Sequence, residues 1–222
     1  MRIITGLAIA SIILGVLVIQ NSWLFILMIC LVCFYGQYEW IKNEFNKIFF
    51  GFLLILNFGF WSIYFLFFGG HLLFGSGLGI SYDSTPYIIY GAIIFNTAIF
   101  DTFAYIIGSK FGETYIAKNI SPKKTFEGLI GGLLASISFG MSIVYLSSEI
   151  GNPDVRFHYL IVLYFFLGGI FAFLGDLLIS YFKRKSGVKD TGSILPGHGG
   201  VLDRIDSHLI ATPLLIILAL FT

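Results

Sequence analysis

The chain is dominated by apolar segments about as long as a bilayer is thick. A hydrocarbon core of about 30 Å takes roughly 20 mainly apolar residues to cross as a helix. Segments of that kind lie near residues 3–19, 22–40, 48–68, 87–108, 127–147, 158–182 and 208–222, the last of them short. This predicts an all-α, polytopic integral membrane helix bundle with about seven transmembrane helices. Composition excludes the soluble alternative. With 57% hydrophobic and 11% charged residues and a mean hydropathy of +0.92, a chain of 222 residues lacks the polar surface to coat a globule in water. No long hydrophilic segment interrupts the pattern, so 1–222 reads as a single transmembrane domain. Residues 1–100 read as N-terminal hydrophobic helices, and 101–222 carry the polar motifs.

The net charge of +1 gives no reason to expect nucleic acid or a soluble acidic partner. Placement of the charges is more informative. With a cytoplasmic N-terminus, twelve of the thirteen Lys and Arg residues fall on the cytoplasmic side and only Arg156 falls outside, as the positive-inside rule requires. Arg2 followed by an apolar run resembles a signal peptide, but no small-residue cleavage site with a polar region after it follows, which predicts an uncleaved first helix. Cys30 and Cys33 form a C-x-x-C within an apolar helix and read as small core residues. The 25 phenylalanines read as lipid contact and helix packing. His71, Asp83 and His158, in or beside the outer loops, read as interfacial residues.

Ser180 to Ser207 is the one long stretch where charge, glycine and histidine crowd together. It holds acids suited to a divalent cation (Asp176 just before it, Asp203 and Asp206 within it) and cations suited to phosphate (Lys183, Arg184, Lys185, Lys189, Arg204). The Gly-rich turn Pro196 to Gly200, including Gly199 and Gly200, lets backbone approach a ligand closely. His198 within it offers a phosphate donor or an orienting group. A purely basic topogenic loop would account for the lysines but not for the acids. Asp203 and Asp206 are three apart, so a helix there presents both on one face. Asp176 and Asp203, from two helices, suffice for magnesium, which takes one or two carboxylates and completes its shell with water and phosphate.

Two further segments converge on the same chemistry. Asp101 lies inside the fourth span, roughly 10 Å below its expected end at Gly108, on one face with Thr97 and Tyr105. Such an acid must face protein, water or a cation. A hydrogen-bonded helix contact and direct participation both fit it. On the sixth span, Gly169, Ala172, Asp176, Ser180 and Lys183 form a face of small residues leading to an acid and a lysine. Between the fourth and fifth spans, Ser121 with Pro122, or Thr125 with Glu127, offers a helix start. Either start sets Lys123 and Lys124 beside a helix N-terminus whose free N–H groups suit a phosphate. A basic anchor on lipid headgroups is the alternative, and it fits Lys110 and Lys118.

These segments resemble the phosphatidate cytidylyltransferase (CDP-diacylglycerol synthase) family. The resemblance rests on S-x-x-K-R-x4-K-D-x-G-x2-L-P-G-H-G-G-x-L-D-R-x-D-S over Ser180 to Ser207, on S-P-K-K-T-x-E-G over Ser121 to Gly128, and on D-x-x-A-Y-x-x-G-x-x-F-G over Asp101 to Gly112. It implies transfer of CMP from CTP to phosphatidic acid, releasing pyrophosphate, with Mg²⁺ or Mn²⁺ and a second, monovalent cation as cofactors. It makes residues 101–222 the catalytic half. It also implies that Asp176 and Asp203 are the metal ligands, with Asp206, Lys189 and Asp190 completing the metal and nucleotide site. Ser121, Lys123, Lys124, Thr125, Lys183, Arg184, His198, Gly199, Gly200 and Arg204 are the expected phosphate and nucleotide contacts, supported by Asp101 and Glu127. A homodimer is a family expectation. The location implied is a bacterial inner membrane, with the active site on the cytoplasmic side. Two other readings make different predictions: a CTP-dependent kinase acting on a polyprenol-type alcohol releases CDP, and an ion-coupled transporter moves substrate without nucleotide turnover.

Overall fold

The computed structural model describes residues 2–69, 84–149, 155–194 and 199–221. His71, Asp83 and His198 lie outside them, as does the side chain of His158. The helices are α1 (Arg2–Ile19), α2 (Ser22–Lys42), α3 (Ile48–Phe68), α4 (Thr85–Phe111), α5 (Phe126–Glu149), α6 (Val155–Lys185), the single turn α7 (Leu202–Ile205) and α8 (His208–Phe221). An isolated bridge pairs Tyr115 with Thr125. The chain is a polytopic membrane helix bundle.

Helices α2 to α6 are long and apolar enough to cross a membrane, whereas the apolar parts of α1 and α8 are shorter. The 14 described residues of α8 rise about 21 Å against a core of about 30 Å. In contrast, α4 and α6 are longer than expected, at 27 and 31 residues. α6 is roughly 46 Å long, so its basic end, Lys183, Arg184 and Lys185, projects past the hydrocarbon. Because α4 continues to Phe111, Asp101 lies ten residues from its end, about 15 Å away, deeper than the sequence suggested.

The outward surface is covered by large apolar side chains such as Trp23, Phe34, Phe49, Phe60 and Phe67. In water this surface would aggregate; in lipid it is ordinary. The phenylalanines therefore divide between lipid contact and packing. Cys30 also faces outward, with Cys33 partly buried, and both are free thiols, so only Cys33 fits the expected core role.

Helices α4 and α5 pack closely, as do α5 with α6, α6 with α8, and α3 with α8 and α2. At the α4–α5 crossing a Cβ on Gly128 would lie 2.7 Å from the Ala104 carbonyl oxygen and 3.1 Å from the Gly108 Cα. Only a residue without a side chain lets the two backbones meet there. At the same end of the bundle Trp40, fully buried, packs 4.8 Å from Phe182 and 5.2 Å from Phe45 by ring centroids. This aromatic cluster fastens the end of α2 against the end of α6. The ends of α2, α4 and α6 and the starts of α5 and α8 therefore share one end of the bundle, where the polar residues gather. Gly128→Val is expected to separate α4 from α5 and destabilise the bundle by about 1–3 kcal/mol, measurable as an earlier midpoint in SDS-titrated unfolding from mixed micelles.

Candidate active site

Two lysine–aspartate pairs organise the polar end. Lys124, just ahead of α5, places its Nζ 2.7 Å from the Asp176 Oδ2 on α6. Lys183, two turns further along α6, places its Nζ 2.9 Å from the Asp203 Oδ1 on α7. Both pairs are largely shielded from solvent, the Asp203 side chain being only 5% exposed. Ser180 donates to the Asp176 Oδ1 at 3.1 Å, so Asp176 is held at both oxygens.

The small-residue face expected on α6 is buried as the spacing required. Ala172 is fully buried, and Ser180 and Lys183 nearly so. A Cβ on Gly175 would lie 2.5 Å from the Asp206 carbonyl oxygen and 2.8 Å from that of Ser207. The turn between α7 and α8 thus presses onto α6 beside Asp176, bringing Asp206 into the field of Asp176, Lys183 and Asp101. Asp101 in turn feels Asp176, Lys124 and Arg204, and Ser207 donates weakly to its Oδ2 at 3.4 Å. Burial, then the Asp176 charge, push the Asp206 carboxyl well above the ordinary carboxylate range. Asp101, Asp176 and Asp206 thus lie within one another's electrostatic reach.

Asp203 is differently engaged. Its Oδ2 accepts from the Thr191 N–H at 2.8 Å, the Gly200 N–H at 3.0 Å and the Thr191 hydroxyl at 3.0 Å, while Lys183 occupies Oδ1. Burial raises its carboxyl, but the Lys183 ammonium and the N–H groups of Gly200 and Thr191 outweigh burial and hold it below the usual range. Each of the two expected ligands has its own lysine, and Asp176 also lies in the field of Asp206 and Asp101. Helix α7 is a single turn, and Asp203 within it and Asp206 at its end engage different neighbours. Among the described residues no group of three or more His, Cys, Asp or Glu side chains is arranged as a metal cage.

A cavity of about 240 Å³ opens beside the first pair. Asp101, Asp176, Ser121, Lys123, Lys124 and Thr125 supply its polar wall, and Phe100, Phe173 and Leu129 its apolar one. Lys124 also lies 4.7 Å from the Phe173 ring centroid. The start of α5 resolves in favour of Thr125, whose Oγ1 accepts from the Gly128 N–H at 3.2 Å. The Phe126 N–H is taken by the Thr114 carbonyl at 2.8 Å. The expectation of free N–H groups for phosphate is therefore not met at these positions, and the two ammonium groups carry the attraction. Glu127 accepts from the N–H groups of Glu113 and Thr114, bracing the incoming loop outside the cavity.

The sequence model of the cytidylyltransferase family matches residues 59–222. The chain belongs to this family. Curated relatives named phosphatidate cytidylyltransferase include those of Staphylococcus haemolyticus (strain JCSC1435), 43% identical over 148 residues, of Staphylococcus aureus (strain COL), 41% over 136, and of Bacillus subtilis (strain 168), 40% over 137. The matches cover 64%, 61% and 61% of this chain and 54%, 50% and 48% of the relatives. The chain spans about half the length of the curated relatives it matches. The family match starts within α3, ahead of Asp101, where the sequence motifs begin.

Several motif residues lie apart from the cavity. Lys189 and Asp190 are exposed beyond the end of α6. Arg184 is exposed too and donates from Nε to the Ile120 carbonyl at 3.1 Å, tying α6 to the loop that carries Lys123. Arg204 is exposed and lines a second, largely apolar cavity. Gly199 adopts φ +79°, where glycine is favoured. A Cβ there would lie 2.7 Å from the Asp203 Oδ2, and one on Gly200 would clash with Glu39 and Thr191. These glycines bring backbone onto buried carboxylates, not onto an open ligand site. Sequence reasoning missed Glu39, Asn43 and Thr191. The available signal was an acid near the end of an apolar helix, the same signal that singled out Asp101 and Asp176.

Lys183→Met is expected to strand the Asp203 carboxylate and destabilise the protein by about 3–5 kcal/mol, with Lys183→Met/Asp203→Leu recovering part of the loss in SDS-titrated unfolding. The sign of the pH effect follows from the lowered folded pKa of Asp203. Its contribution is complete above the unfolded value of about 3.9 and disappears as pH falls through the folded value. The same titration in acid checks that this dependence is weakened in Lys183→Met.

Proposed function

We propose that this chain transfers CMP from CTP to phosphatidate, giving CDP-diacylglycerol and pyrophosphate, in a bacterial inner membrane with the site on the cytoplasmic side. The observation that carries the reading is the accessible cavity in which Lys123 and Lys124 face Asp101 and Asp176. The names of the relatives and the placement of the basic residues support it.

In this reaction an oxygen of the lipid phosphate forms a bond to the α-phosphorus of CTP, and the bond to the β-phosphate breaks. The attacking phosphate already carries about −1.5 to −2 charge near neutral pH, so no strong general base is required. The difficulty is bringing two polyanions together. Lys123 and Lys124 line the wall where phosphates would lie, and Lys124 would be shared between Asp176 and the incoming anion. A divalent cation would supply further charge cancellation. The oxygen-only donors Asp176 and Asp206, with Asp101 near them, suit a hard ion that completes its shell with water and phosphate. Asp203, with donors on both oxygens, instead fixes Lys183.

The acyl chains need an apolar place beside this site. A second cavity of about 270 Å³ is walled by Ile9, Ile13, Met28, Val32, Phe58 and Ile94, with Arg204 and His208 among its lining. Arg204 also lies within the electrostatic reach of Asp101, so it stands between the apolar cavity and the acids. That position suits a lipid with its chains in the cavity and its phosphate directed to the reaction.

Incubation of the purified chain with labelled CTP, phosphatidate and Mg²⁺ is expected to yield CDP-diacylglycerol and pyrophosphate. Release of CDP with a phosphorylated alcohol would instead make the protein a lipid kinase. Asp176→Asn is expected to lower turnover by about 100-fold or more while still inserting in the membrane; full activity would remove Asp176 from the mechanism.

A further inference from the structure

We propose that Glu39 is a positioning residue of this active site, supplied by a helix that lies before the family-matched residues. The inference rests on the reading of the site as a cytidylyl-transfer centre and adds the element that sets its geometry. Glu39 is on α2, is 1% exposed and has no lysine or arginine salt bridge among the described residues. Its charge is instead met by donors from the motif loop and α7. Oε1 accepts from the Val201 N–H at 2.9 Å, and Oε2 accepts from the Leu202 N–H and the Thr191 hydroxyl, each at 2.8 Å. Hydrogen bonds to a buried carboxylate are among the stronger ones a protein makes.

These bonds act directly on the part of the chain that holds Asp203. Thr191 has one hydroxyl proton and two carboxylate oxygens in reach, Glu39 Oε2 at 2.8 Å and Asp203 Oδ2 at 3.0 Å. Asn43, one turn beyond Glu39, donates from Nδ2 to the Thr191 carbonyl at 2.6 Å and to the Glu39 carbonyl at 2.7 Å. The end of α2 thus grips Thr191 by both hydroxyl and carbonyl, while the Thr191 N–H holds Asp203. Val201 and Leu202 immediately precede Asp203, so their bonds to Glu39 set the rotation of the single turn α7. That rotation fixes the Lys183–Asp203 pair and, three residues on, the position of Asp206 beside Asp176. Glu39 touches neither cavity, so it acts through this segment and not on substrate.

The test uses the full chain in detergent with Glu39→Gln, Glu39→Ala, Thr191→Val and the Glu39→Gln/Thr191→Val double variant. A glutamine keeps the shape but sets an NH₂ group against one of the donors. Glu39→Gln is expected to lower kcat by about 10- to 100-fold, as loss of a supporting partner typically does, with KM for CTP and phosphatidate nearly unchanged because Lys123 and Lys124 are untouched. Glu39→Ala is expected to lose more. The double variant should be no worse than the poorer single one, since both act in one network. Hydrogen exchange gives a readout independent of activity: amides of residues 199–205 should exchange about tenfold faster in Glu39→Gln, with the α4 and α5 amides unchanged. Wild-type kcat in Glu39→Gln and Glu39→Ala, additive losses with Thr191→Val, or an exchange increase spread evenly over the bundle would each overturn the positioning role. Should the wild-type chain show no cytidylyl transfer, the exchange result decides alone: acceleration confined to 199–205 upholds the role while the proposed activity falls, and unchanged exchange overturns it.

Discussion

A carboxylate set near the edge of a hydrocarbon layer must be met by positive charge or by hydrogen-bond donors, and the polar end of this bundle follows from that requirement. Lys124 reaches Asp176 from the loop ahead of α5, Lys183 reaches Asp203 from α6, and a set of N–H and hydroxyl donors reaches Glu39. Each contact joins segments that are distant in sequence. Removing one partner would leave a charge in a low-dielectric setting, where desolvation is costly. The acids thereby specify how the helix ends are arranged as well as supplying chemical groups.

The same pairing explains how such a site can bind polyanions. Lys124 is already oriented into the cavity by Asp176 and by the Phe173 ring, so an arriving phosphate meets a cation whose position has been set beforehand. In the proposed reaction the three acids Asp101, Asp176 and Asp206 would attract cations and so offset the mutual repulsion of two phosphates. The second pair serves differently. With its carboxylate saturated by donors, Asp203 organises Lys183 and the backbone of the glycine turn. Two aspartates three residues apart thus face different tasks because one turn of helix, and no more, separates the motif loop from α8.

The proposed role of Glu39 would make the first helices part of the working unit. Trp40, packed on Phe182, and Glu39, beside it in sequence, bring α2 against both the end of α6 and the turn α7. Apolar packing brings the elements together without directional preference, and the buried carboxylate selects the rotation. On that proposal, polar support for the motif loop comes from Glu39 and Asn43, ahead of residues 101–222.

Hydropathy made the helices legible, since a backbone in lipid must satisfy its own hydrogen bonds and only a long apolar helix does so. The acids Asp101 and Asp176 and the lysines before α5 were legible for a related reason: charge in or beside such a segment is expensive and demands a partner. The small-residue face of α6 was equally plain, because helical spacing alone decides which residues align. Partner choice was not legible. Which cation Asp203 meets, whether the α5 N–H groups stay free or bond to Thr114 and Thr125, and where the glycine turn directs its backbone depend on distances between segments up to 163 residues apart. The sequence by itself determined a helical membrane bundle with its charges collected at one end, because those properties follow from local composition and periodicity. Only the tertiary structure decided which charges are paired and which are left facing a cavity, because the energy of a buried ion depends on neighbours that packing, not chain order, brings within a few ångströms.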